Sequence, residues 1–239
     1  MRNILIRLAI KYNGDYFRIQ KAITAKEKVD RNIELQKAIT ILDEEYPEEL
    51  LELRYPPYVL FYEGNIELLK RRKCSVVGSR NPSAYGGEAT RQVVDCLKDK
   101  YVIVSGMAKG IDRLAHCEAI NTIGVLGNGV NITYPYSNRD IYRYMREKQL
   151  LISEYPADVK PEKYHFPFRN RIIAALGEKI IVTQAGLKSG TMLTVNEALN
   201  LNREIYVVPY RLTDKEGAGC NKLISQGANV VQWAESKNN

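Results

Sequence analysis

The chain has 239 residues, 45% of them hydrophobic, with four cysteines and a formal net charge of +7. This length supports one substantial core and excludes a miniprotein stapled by disulfides; no apolar run approaches the ~20 residues of a membrane span, and Arg7 breaks Ile4-Leu5-Ile6 before a signal-peptide core forms. Cys74, Cys96, Cys117 and Cys220 form no Cys-x-x-Cys pair and have no histidines at ligand spacing, so no metal or cofactor is expected and a reduced, cytoplasmic setting is.

Residues 1–55 read as a small helical N-terminal region, with charged and apolar positions alternating through Ile33-Glu34-Leu35-Gln36-Lys37-Ala38-Ile39 and an acidic Asp43-Glu44-Glu45. Tyr46-Pro47 and Tyr55-Pro56-Pro57 impose extended or turn backbone, which puts a boundary near residue 56. From Lys73 the pattern changes to short apolar runs: Ser75 to Val77, Tyr101 to Val104, Ile123 to Leu126, Leu150 to Ser153, Ile180 to Thr183 and Ile205 to Val208. Runs without alternation fit strands buried on both faces, and the helix-length segments between them imply parallel pairing through right-handed crossovers. Ala89, Val93, Val94 and Leu97 share one helical face, as do Ile172, Ile173 and Leu176. The expected fold is α/β, a doubly wound, mostly parallel sheet over residues 56–234, ending in a polar, frayed tail at 235–239.

The charge is unevenly placed: residues 1–60 hold 10 Lys/Arg against 10 Asp/Glu, leaving 25 against 18 for the remainder. A basic α/β domain suits a polyanionic ligand. In such sheets ligands bind beyond the strand carboxyl ends, where loops enter helix N-termini. The turns there are Gly78-Ser79-Arg80, Ser105-Gly106-Met107-Ala108-Lys109-Gly110, Gly127-Asn128-Gly129 and Ser189-Gly190-Thr191. Glycines let a phosphate approach the backbone, hydroxyls donate to it, and Arg80 and Lys109 bring charge. Any one of these turns is also explained by the need for small residues in tight connections; four at one sheet edge point to phosphate.

A second cluster, Lys163-Tyr164-His165-Phe166-Pro167-Phe168-Arg169-Asn170-Arg171, interleaves rings and cations in a loop entering a helix. Bases stack on aromatic faces while cations hold phosphates, and neither contact reads sequence. The competing reading has Phe166 or Phe168 anchoring the loop in the core and Arg169 or Arg171 in an internal ion pair, with Phe168 and one arginine the foremost candidates. His116 reads as a structural hydrogen-bonding group within a helix, and His165 as a secondary candidate for ligand contact. Gly127-Asn128-Gly129 lacks the third glycine of a dinucleotide fingerprint and no G-x-x-x-x-G-K-[ST] occurs, which disfavours NAD chemistry and ATP hydrolysis. Asp112 and Glu154 are the acidic residues near the loops, and no catalytic set emerges.

Taken together, these motifs resemble the DprA/Smf DNA-processing family. The resemblance rests on Val76-Val77-Gly78-Ser79-Arg80, Ser105 to Asp112 with Ala115-His116, Thr122 to Gly127 leading to Tyr134-Pro135, and Ser153-Glu154-Tyr155-Pro156. It continues through Phe166 to Ile173, Ser189-Gly190-Thr191, and Gly219 to Ile224 with Gly227-Ala228. It implies an extended Rossmann-like fold that binds single-stranded DNA without catalysis and, in naturally transformable bacteria, helps load the RecA recombinase onto incoming strands. By position, Arg80 would hold a phosphate, Ser105-Gly106 would supply backbone donors, and Lys163 and Phe166 would contact the strand, Phe166 by stacking. A homodimer is implied, with Leu223 and Ile224 as a candidate interface.

The chain departs from the family pattern at Gln184-Ala185, where many members have Glu-Ala, and at Pro209-Tyr210, where they have Pro-Gly; both are expected to alter the rim. It also ends where many relatives continue into a small winged-helix-like domain, so any duplex-DNA contribution from that module is expected to be missing. The enzymatic alternative is a nucleotide phosphoribohydrolase of the lysine-decarboxylase-like type. Against it, position 194 is Thr where that family's glycine-rich turn is followed by a glutamate, and the nearest carboxylate is Glu197.

Overall fold

The computed structural model describes residues 1–232; the expected tail and the last two residues of the 56–234 segment lie outside them. Two helices, α1 (Arg2–Lys11) and α2 (Tyr16–Thr24), open the chain, α2 capped by the Asp15 carboxylate accepting from Arg18 N–H at 3.0 Å. Then come β1 (Ala38–Thr40), β2 (Val59–Gly64), β3 (Lys73–Gly78), α3 (Ala84–Leu97), β4 (Val102–Gly106), α4 (Ile111–Glu118) and β5 (Thr122–Leu126). The chain continues through α5 (Arg139–Lys148), β6 (Leu150–Ser153), α6 (His165–Leu176), β7 (Lys179–Gln184), α7 (Thr191–Asn200), β8 (Glu204–Val207), α8 (Ala218–Ser225) and β9 (Asn229–Val230).

The strands form one sheet in the order β1-β2-β6-β5-β4-β3-β7-β8-β9, parallel from β6 to β9 and antiparallel where β2 joins β1 and β6. Alternation along β4 shows why its apolar run is unbroken. Ile103 packs with Ala89, Val93 and Val94 of α3 and Ala115 of α4, whereas Val102 and Val104 pack with Ile172, Ile173 and Leu176 of α6. Both faces are therefore covered, as a doubly wound parallel sheet requires. No helix among the described residues is long and apolar enough to cross a membrane.

The helical reading of residues 33–39 is corrected: no helix forms there, and Ala38 and Ile39 enter β1. The alternation of Ile33, Leu35 and Ile39 with polar residues has the period of a strand, not that of a helix. The segment Val59 to Gly64 is also a strand, so the sheet runs across the position of the expected boundary at 56. Leu5, Ile6, Leu8 and Ala9 of α1 and Ile19 and Ala22 of α2 cover this end of the sheet, packing on Ala38, Val59 and Phe61.

Candidate nucleic-acid interface

The sheet order reverses direction between β3 and β7, and the crevice beyond their carboxyl ends is where an open α/β sheet receives ligand. The turn leaving β3 is fixed from both sides. Ser79 N–H donates to the Gln184 carbonyl of β7 at 2.8 Å, and the Ser79 carbonyl accepts from Ile111 N–H at 3.0 Å. Gly110, with φ +77°, fits beneath this turn so closely that a Cβ would lie 2.3 Å from the Ser79 carbonyl oxygen.

Two adjoining cavities open here. One, of about 370 Å³, is lined by Gly78, Ser79, Arg80, Asn170, Ser189, Gly190 and Thr191. The other, of about 260 Å³, is lined by Lys109, Gly127, Asn128, Tyr134 and Tyr142. Arg80, Ala108, Phe166 and Arg169 line both. All four glycine-bearing turns thus contribute to one paired cavity.

Its electrostatics favour an acceptor-rich ligand. Arg80 is exposed and makes no hydrogen bond or ion pair among the described residues. Arg169 is only 6% exposed; its Nη1 donates to the Val125 carbonyl, while its Nε has no partner. Ser189 Oγ is likewise buried without a partner. A buried unsatisfied donor costs about 1–3 kcal/mol. Gly106 makes room for the Asp112 carboxylate and the Arg169 guanidinium, since a Cβ there would lie 2.5 Å from Asp112 Oδ2 and 2.7 Å from Arg169 Nη1. Burial raises the Asp112 pKa and lowers that of Arg169, and each charge counters the shift of the other.

Phe166 is the aromatic residue among those that line both cavities. Its ring lies over Gly127, where a Cβ would be 2.9 Å from the Phe166 ring, and packs against Tyr134 at a centroid distance of 5.5 Å and an interplanar angle of 31°. Pro167 falls in the first turn of α6, where a missing N–H costs no helical bond.

Several expected site residues lie elsewhere. Ser105 and Gly106 line neither cavity, because β4 continues to Gly106 and the turn begins at Met107. The Ser105 hydroxyl donates to the Val76 carbonyl at 2.6 Å, tying β4 to β3. Arg171 points to the other side of α6, donating to Glu154 Oε2 at 2.8 Å and Oε1 at 2.5 Å, and its guanidinium covers the Phe168 ring at 3.7 Å. Lys163 is exposed before α6 and lines neither cavity. Of the two residues expected at a dimer contact, Leu223 is buried in the main core and Ile224 is half-buried against it. Gln184 is fully buried rather than on the rim, its Oε1 accepting from Ser83 N–H at 2.9 Å.

Both histidines are buried and hydrogen-bonded to backbone. His116 Nε2 faces the Gly106 carbonyl at 2.7 Å and Nδ1 the Thr122 hydroxyl at 2.6 Å; burial pulls its pKa down to about 4, so the ring is neutral at neutral pH. His165 stacks on Tyr155 at 3.9 Å, and burial lowers its pKa too. Sequence reasoning missed Tyr134 and Tyr142 as cavity walls and set Asp112 aside. The signal for Tyr134 was present in Tyr134-Pro135, close after the third glycine turn.

Comparison with known proteins agrees with this architecture. The family described as DNA recombination-mediator protein A matches residues 37–238. The DNA processing protein DprA of Streptococcus pneumoniae is 40% identical over 222 residues, covering 90% of this chain and 76% of the relative. The X-ray structure of DprA from the same species superimposes with a TM-score of 0.81 at 38% identity, covering 90% of this chain and 77% of that one. A Helicobacter pylori structure, described for the single-stranded DNA binding mode of its DprA, superimposes with a TM-score of 0.76 at 32% identity, covering 82% of this chain and 91% of that one.

Proposed function

This chain belongs to the DNA recombination-mediator protein A family, that of the DprA and Smf proteins, and from that premise we propose that it binds single-stranded DNA without reading its sequence. One observation carries the reading: exposed Arg80 lines both adjoining cavities together with the half-buried Phe166 ring and the Arg169 guanidinium, and the Ser189-Gly190-Thr191 turn closes the larger one. The cations Arg80 and Lys109 suit phosphates. The ring suits a base face, and in a duplex both faces of a base are taken by its neighbours, so a stacking wall selects unpaired strands. The single-stranded DNA described for the Helicobacter pylori relative supports the same assignment.

In this reading Arg80 and Lys109 hold phosphates at the mouth, Lys163 approaches the strand from the solvent side, and Asn170 and the Ser189-Gly190-Thr191 turn complete the wall. The protein acts by binding, as a cytoplasmic homodimer, and passes the strand to the RecA recombinase during uptake of DNA. Glu197, the carboxylate nearest in sequence to the glycine turn of α7, lines neither cavity.

Anisotropy titrations with a labelled oligothymidine at two salt concentrations test the assignment. Phe166→Ala is expected to weaken binding by about tenfold through lost stacking. Arg80→Ala and Lys163→Ala should weaken it and each flatten the log–log salt dependence by about 0.7. Unchanged affinity in all three variants would remove the site.

A further inference from the structure

The segment between β5 and α5 leaves the cavity wall at Tyr134 and carries a second ring, Tyr136, into solvent. Tyr136 is 71% exposed, and the Arg139 guanidinium lies over it, 5.2 Å from the ring centroid. A large ring this open usually moves with its loop, but here the loop is pinned on both sides. Asn138 Nδ2 donates to the Met107 and Ala108 carbonyls at 3.0 and 3.1 Å, which fastens the segment to the turn that lines the cavity. The Tyr142 hydroxyl donates to the Tyr134 carbonyl at 2.7 Å, and Arg146 donates to the Val130 carbonyl at 2.9 Å.

The charge around Tyr136 is positive. Arg139 and Arg143 are exposed and form no ion pair among the described residues. The one carboxylate in the first turn of α5, Asp140, is taken by Arg113 through bonds of 2.9 and 2.6 Å, so it does not neutralise them. A preorganised ring with Arg139 over it and exposed Arg143 one turn further along α5, two residues beyond the cavity wall at Tyr134, has the composition of a strand-binding track.

We propose that Tyr136, with Arg139 and Arg143, forms a second nucleic-acid subsite that receives the strand as it leaves the cavity past Tyr134. Tyr136 stacks on a base outside the cavity, and the two arginines contact the phosphates beside it. The subsite rests on the single-strand reading of the cavity and extends its footprint along α5.

The test compares two oligothymidines on the full chain, one of about 6 nucleotides that fills the cavity and one of about 20 that also spans the track. Tyr136→Ala should leave the short oligonucleotide's affinity unchanged and weaken the long one by about tenfold, with Tyr136→Phe behaving as the parent. The double variant Arg139→Ala/Arg143→Ala should flatten the long oligonucleotide's log–log salt slope by about 1.4. If the parent binds both lengths and Tyr136→Ala changes neither, the track is overturned while the cavity stands. Equal loss on both lengths would make Tyr136 part of the cavity and also overturn the track. A parent that binds neither length would overturn both readings.

Discussion

Arg171→Ala is expected to destabilise the fold by about 3–5 kcal/mol, because it leaves the Glu154 carboxylate buried without its counter-charge. Both side chains are 5% exposed, so water does not replace the lost partner. The same arginine also donates to the Tyr55 carbonyl at 3.0 Å and covers Phe168, so its loss loosens the contact between α6 and the N-terminal segment. Urea unfolding measures the effect. The pair variant Glu154→Gln/Arg171→Met, which removes both charges at similar volume, should recover most of the stability. A double variant as unstable as Arg171→Ala would show that packing of the guanidinium, rather than the stranded carboxylate, sets the cost.

Gly110→Ala should cost a comparable amount and damage binding as well. Its φ of +77° and ψ of −126° belong to a region reserved for glycine, at about 1–3 kcal/mol for any other residue. The added methyl would also lie 2.3 Å from the Ser79 carbonyl and 2.7 Å from that of Arg80, an overlap worth about 1–3 kcal/mol more. Relief comes only by pushing the β3 turn away, which moves Arg80 off the cavity mouth. Gly190→Ala is the matched control: it sits in the cavity wall with helical backbone and nothing within 4 Å of a Cβ, so its stability should change little. Urea melts and oligothymidine titrations of the two variants separate strain from mere substitution of a glycine.

The central sheet was legible because its strands are buried on both faces, which leaves runs such as Val102-Ile103-Val104 with no polar interruption. β1 and β2 were not. Ala38-Ile39-Thr40 is a short strand after a polar stretch, and Val59 to Tyr62 follows Pro56-Pro57; antiparallel pairing to β6 is a long-range choice that local pattern does not reveal.

The cavity was legible in part, through its glycine and serine turns. Ser105 lies outside the cavity lining because β4 extends to Gly106, which shifts the turn to Met107. Arg169 and Arg171 looked equivalent in a list of cations, yet two residues on a helix are turned by about 200°, which separates cavity from core. Phe166, Arg169, Asn170 and Ile173 follow the i, i+3, i+4, i+7 stripe and all line the larger cavity, whereas Phe168 and Arg171 belong to the other face. Once Phe166 is fixed as a wall residue, helical phase alone would have sorted the two arginines.

The direct measurement is a titration of the parent protein with a labelled oligothymidine, competed by unlabelled single strands and by duplex of the same length. Single strands should compete at least about tenfold better than duplex, since only they present free base faces to Phe166. Equal competition by duplex, or no binding of the labelled strand, would contradict a site built around that ring.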